Sequence, residues 1–130
     1  MQAKVEVIAL AVADVEKSKA FYGEGLGLKS EMDHGFFVQY DLGPGSSKLA
    51  LYERNALAGD AGVKAPEAGS GAFMLSCGAG SSAEVDALLA QARKAGGRIT
   101  KPGAKAQWGG YFGYVADPDG HLWKVATNNG

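Results

Sequence analysis

The order of its periodic segments constrains this chain more than anything else in it. Lys4–Ala13 (KVEVIALAVA) alternates with the period of a strand: Ile8, Leu10 and Val12 form a bulky face, and Val5, Val7, Ala9 and Ala11 a smaller one. Asp14 is an N-cap, and a helix runs from Val15 to about Glu24, with Gly25 or Gly27 as its stop. Leu28–Asp33, Phe36–Leu42 and Lys48–Glu53 read as three further strands, the last two joined by the turn-rich Gly43–Ser47. An Ala/Gly-rich connection, Arg54–Ser70, holds one short helix near residues 56–62. The order then restarts. Ala72–Cys77 is a strand, and Ser81 or Ser82 caps a helix over Ala83–Ala95 whose Val85, Leu88, Leu89 and Ala92 fall at helical spacing. Gly96-Gly97 ends it, Arg98–Lys101 is a strand, and Pro102–Gln107 is loop.

The chain closes on a strand, a turn and a strand. Tyr111–Ala116 is aromatic and apolar, and Asp117-Pro118-Asp119-Gly120 is turn chemistry, with Gly120 free to take positive φ. His121–Thr127 alternates. Trp123 and Val125 share one face, assigned to the core, while Leu122, Lys124 and Ala126 share the other. Each half therefore reads β-α-β-β-β, an internal repeat at the level of supersecondary structure.

Composition narrows the function classes. One domain is expected over residues 1–130, with module one at about 4–54, a linker at 55–70 and module two at about 71–127. A net charge of −1 argues against nucleic acid and against an acidic membrane surface as partner. Cys77 is the single cysteine and has no partner for a disulfide, so a reducing, cytoplasmic setting is expected. No apolar run approaches the roughly 20 residues of a membrane span.

The segments ALAVADVEKSKAFYGEGLGL (9–28), EVDALLAQARKAGG (84–97) and YVADPDGHLWKVA (114–126) resemble the vicinal oxygen chelate superfamily. That superfamily includes glyoxalase I, extradiol dioxygenases and the bleomycin resistance proteins. The resemblance implies an α+β fold of two βαβββ modules, with curved mixed sheets enclosing a cleft and helices outside. It also implies pairing of two chains as a homodimer. Its chemistry uses a divalent metal held by His, Glu or Gln at four strand positions. Matched to this sequence, those positions carry Val7, Ala50, Met74 and Lys124, none of them a hard oxygen or imidazole donor. The metal site is read as absent and no cofactor is expected.

Other motifs carry little chemistry. Cys77 reads as a small buried residue, Gly78–Ser82 as a flexible loop before a helix cap, and Arg98, Lys101 and Lys105 as a solvated edge. Turn formation accounts for Asp117 and Asp119, and turn packing for His121. The aromatic residues suit a flat ligand in a slot. The ligand-binding candidates are Lys124, Trp108, Tyr111, Tyr114, Tyr52, Tyr40 and Met74. The reading is a metal-free protein that binds a small planar or aromatic molecule. Its alternatives are a glyoxalase-like lyase or dioxygenase, metal-dependent or using Lys124 and tyrosines, and a ligand-free interaction module.

Overall fold

The computed structural model describes residues 1–67, 73–107 and 109–129. Its strands are β1 (Val7–Val12), β2 (Lys29–Asp33), β3 (Phe37–Asp41), β4 (Lys48–Glu53), β5 (Met74–Gly78), β6 (Arg98–Lys105), β7 (Tyr111–Ala116) and β8 (Leu122–Thr127). They form two four-stranded sheets, β1-β4-β3-β2 and β5-β8-β7-β6. In each sheet the first pair is parallel and the others antiparallel, so both sheets are mixed. The helices are α1 (Val15–Ala20), α2 (Arg54–Ala61) and α3 (Ser82–Lys94). The β-α-β-β-β order occurs twice, as expected. None of the described helices is long and apolar enough to cross a membrane.

Local chemistry explains where the helices start. The Asp14 carboxylate accepts the N–H of Lys17 at 3.1 Å. The Ser81 hydroxyl accepts the N–H of Glu84 at 3.2 Å, and the Glu84 carboxylate reaches back to the N–H of Gly80 at 2.6 Å. On α3 the buried residues Val85, Leu89 and Ala92 recur at intervals of four and three.

α1 and α3 pack against the core side of the sheets, while α2 lies against β1 and β4 on the other side, where its Asp60 meets Tyr52; the remainder of the two opposite faces is open. The helix-side faces share one core. Leu10, Val12, Val38, Tyr40, Leu49 and Leu51 come from the first sheet, and Val115, Trp123 and Val125 from the second. Phe21 and Tyr22 are fully buried between them. Burial of an aromatic side chain on this scale contributes about 1.5–3 kcal/mol. The sheets are not closed, and no strand of one is paired with a strand of the other.

Three boundaries differ from the sequence reading. The first helix does not run as one α-helix to Glu24: after Ala20 it becomes a π-helical turn, Phe21–Gly25. That turn packs on α3 near Gly97, where a Cβ would lie 2.5 Å from Phe21 Cε1 and 2.9 Å from the Ala92 carbonyl oxygen. The strand after α3 continues through Pro102 to Lys105, where a loop was expected. Its register shifts between Ile99 and Lys101 and again between Lys101 and Ala104. An edge strand with bulges tolerates a residue that lacks an N–H. β1 is shorter than expected, beginning at Val7.

Candidate functional site on the open sheet faces

Alternation along β8 turns Trp123 and Val125 to the core and leaves Leu122, Lys124 and Ala126 on the open face. Lys124 sits in the middle of this sheet, opposite Ser76 on β5 and Tyr114 on β7. Its Nζ lies 4.7 Å from the centroid of the Phe112 ring, and the Nζ of Lys101 lies 5.5 Å from the same centroid. Phe112 and Tyr114 meet edge to face at 6.0 Å. Two ammonium groups and two aromatic rings therefore share one patch. Each cation–π contact contributes about 0.5–1 kcal/mol when exposed. Met74, on the edge strand, is 45% exposed at the rim of this face.

The open face of the first sheet has different chemistry. Ala50 lies between Ala9 and Gln39, and Tyr52 between Ala11 and Phe37. Tyr52 packs edge to face with Phe37 at 5.2 Å and donates its hydroxyl to Asp60 at 2.9 Å. That hydrogen bond is the main reason its phenol titrates above the ordinary value. Beyond Gln39 the face becomes charged. Glu31 accepts from Gln39 at 2.7 Å and from Lys48 at 3.0 Å, and Lys48 also reaches Asp41 at 3.3 Å. The Gln39 hydrogen bond, followed by the one from Lys48, lowers the pKa of Glu31.

The structure brings together three of the ligand-binding candidates, Met74, Tyr114 and Lys124, on the second sheet, and places Tyr52 on the open face of the first. Two candidates face the other way. Tyr40 is buried in the core, with its ring 6.2 Å from that of Tyr22. It precedes Asp41 and follows Gln39, so a strand that exposes Gln39 must bury Tyr40. Tyr111 donates its hydroxyl to the Asp86 carboxylate of α3 at 2.8 and 2.9 Å, on the helix side. Trp108 lies outside the described residues. Parity could have sorted these tyrosines: Tyr111 and Tyr114 are three residues apart and cannot share a strand face. Phe112 can, and it does. Lys101, read as part of a solvated edge, also reaches this patch.

The sequence model of the Glyoxalase/Bleomycin resistance protein/Dioxygenase superfamily matches residues 4–125. The chain belongs to this superfamily. Its fold is similar to that of a glyoxalase-related enzyme from Fulvimarina pelagi, with 34% identity, 98% of this chain and 89% of that one covered, and a TM-score of 0.90. A glyoxalase/bleomycin resistance protein/dioxygenase from Nocardioides is 26% identical over 98% of this chain and 84% of its own, with a TM-score of 0.78. A lactoylglutathione lyase from Agrobacterium tumefaciens shares the fold at 21% identity, with 97% and 94% covered and a TM-score of 0.71. No curated protein matches the chain.

In this superfamily member, the four positions matched to metal ligands fall in two equivalent pairs. Val7 opens β1 and pairs with Lys48, as Met74 opens β5 and pairs with Leu122. Ala50 and Lys124 are each the third residue of the central parallel-paired strand. The fold thus keeps the repeat's geometry, while the donors are two alkyl side chains, a thioether and an ammonium. That set does not fit a divalent cation that takes oxygen and imidazole ligands.

A second polar cluster sits where the modules meet, and the sequence reading did not find it. Asp117, expected only to shape the turn, is buried and accepts the N–H groups of Asp119 and His121 at 2.9 and 2.8 Å. Its other oxygen lies 2.6 Å from the Tyr22 hydroxyl, which donates to it, and 2.7 Å from His121 Nδ1. Asp119 reaches back to the first module, accepting from the N–H of Ala13 at 2.9 Å and the Ser18 hydroxyl at 3.3 Å. Asp117, Asp119 and His121 bring ligand-type atoms within 4.8 Å of one another. Their oxygens are nonetheless taken up by this network, which reads as a structural tie between the modules. Gly120 takes φ of 91°, as the turn requires.

Proposed function

We propose that this superfamily member binds a small planar or aromatic molecule bearing an acid or oxo group on the open face of its second sheet, without a resident metal. The observation that carries the reading is Lys124: an ammonium stands above Phe112 at a position where the superfamily resemblance implies a metal-binding acid. A cation beside Phe112 and Tyr114 offers a ring something to stack on and an anionic or carbonyl oxygen something to bond. Lys101 adds a second positive charge to the same patch.

The molecule proposed to cover these faces is a second copy of the chain. Each open face ends at its rim in exposed apolar side chains, with Val7 41% exposed, Phe36 51% and Met74 45%. Pairing the open faces of two copies would shelter these side chains and enclose the ligand between them.

The test begins with a thermal-shift screen of aromatic and conjugated acids and oxo compounds. The best of these is then titrated calorimetrically against wild type and Lys124→Met, which keeps the length of the stem. The variant is expected to fold and to bind about 1.5–3 kcal/mol more weakly, the scale of a charged hydrogen bond. Equal affinity would remove Lys124 from the site and with it the reading.

A further inference from the structure

A cavity of about 390 Å³ lies beside β1, separate from the Lys124 patch, with Ala9, Ala11, Leu57 and Phe73 as its apolar walls. Its polar lining groups are His121 and Glu67. The imidazole is held on one side only. Nδ1 faces the fully buried Asp117 carboxylate at 2.7 Å, and the ring lies 6.3 Å from that of Phe73. Nδ1 therefore carries a proton toward Asp117, which fixes the tautomer of the neutral ring and leaves the lone pair on Nε2. Among the described residues Nε2 has no hydrogen-bond partner, and the side chain is 14% exposed. We propose that this cavity is a binding site for a small phenolic compound, whose ring fills the apolar walls and whose hydroxyl donates to His121 Nε2.

The lining decides the class of ligand. Both polar groups act as acceptors, the neutral imidazole through Nε2 and Glu67 through its carboxylate, so a donor is favoured. An aromatic acid would set a second negative charge beside Glu67. The Asp117 carboxylate behind the ring makes Nε2 a better acceptor, in the way a carboxylate orients and polarises a catalytic or metal-binding histidine. The Tyr22 hydroxyl on the same carboxylate and Asp119 beside it complete the charged and titratable surroundings of the ring.

Phenol itself is the probe, and the readout is the ring ¹⁵N spectrum. The chain has only two histidines, His34 and His121, so His34 serves as an internal control. Titration is done at a pH at which the ring ¹⁵N shifts of the unliganded protein show His121 in its neutral form. The expected result is a saturable shift of His121 Nε2 with His34 unmoved. Leu57→Trp, which fills the cavity from α2 and leaves the turn intact, is expected to abolish that shift. Lys124→Met is expected to leave it unchanged, which separates this site from the one proposed on the second sheet. No saturable shift in wild type, a shift that survives Leu57→Trp, or equal movement of both histidines would overturn the proposal. So would a response to benzoate or benzylamine but not to phenol.

Discussion

His121 shows how one side chain can tie titration to the joining of two modules. Burial disfavours its charged form, but the hydrogen bond and charge of Asp117, with Asp119 behind it, outweigh burial and raise its pKa above the ordinary value. The folded state thus holds the imidazolium more tightly than the unfolded chain does. Its contribution to stability is fully present below the unfolded value of ~6.5 and is lost as pH rises through the higher folded value. The melting-temperature gap between wild type and His121→Gln is therefore expected to be widest below ~6.5 and to narrow as pH rises. Differential scanning calorimetry across that window checks this, and a gap that widens with pH would contradict it. At this scale the sequence was legible only where parity alone decides. Lys124, Tyr114 and Trp123 follow from alternation, and Tyr40 and Tyr111 would have followed had each strand been phased before its aromatics were grouped. The partners of Asp117 and Asp119 could not be read at all. Tyr22, Ser18 and Ala13 are about a hundred positions away in the chain, and no local pattern announces such a contact.

Among the elements, the strands of the second sheet show how closely backbone and side chains are fitted. Gly113 on β7 lies under α3, and a Cβ there would stand 2.6 Å from Leu89 Cδ1, 2.9 Å from the Lys101 carbonyl oxygen and 3.0 Å from the Gly103 nitrogen. Backbone on one side and a buried leucine on the other leave little to give. Gly113→Ala is expected to destabilise the protein by about 1–3 kcal/mol through overpacking, measured by urea denaturation. A change below a few tenths of a kcal/mol would show that α3 moves freely on the sheet. Element order was legible because each strand and helix carries its own period and stop signals. The exceptions lie where tertiary context overrides the local signal. Pro102 reads as a breaker, yet as part of an edge strand it forfeits little. The π-helical turn at Phe21–Gly25 adds a residue to the helix and seats Phe21 against the gap at Gly97.

For the molecule as a whole, the repeat explains both what was retained and what was lost. Two copies of one unit put Val7 with Met74, and Ala50 with Lys124, at matching places on two open faces, while the helix-side faces share one core. A single chain leaves these open faces as outer surfaces rimmed by exposed apolar side chains. Sedimentation velocity is accordingly expected to give a dimer at micromolar concentration, and a monomer at every concentration would remove the second copy from the account. The element order was legible because pattern and turn chemistry specify it, and the family was legible from the resemblance of segments 9–28, 84–97 and 114–126. The ligand was not, since its recognition depends on which side chains the topology gathers. The measurement that bears most directly on the central claim is a binding isotherm for the screened aromatic ligand, recorded once with EDTA and once with added Zn²⁺ or Ni²⁺. The account requires the same affinity in both, because Val7, Ala50, Met74 and Lys124 offer a divalent cation nothing to bind. Binding that disappears on chelation and returns with metal would contradict it.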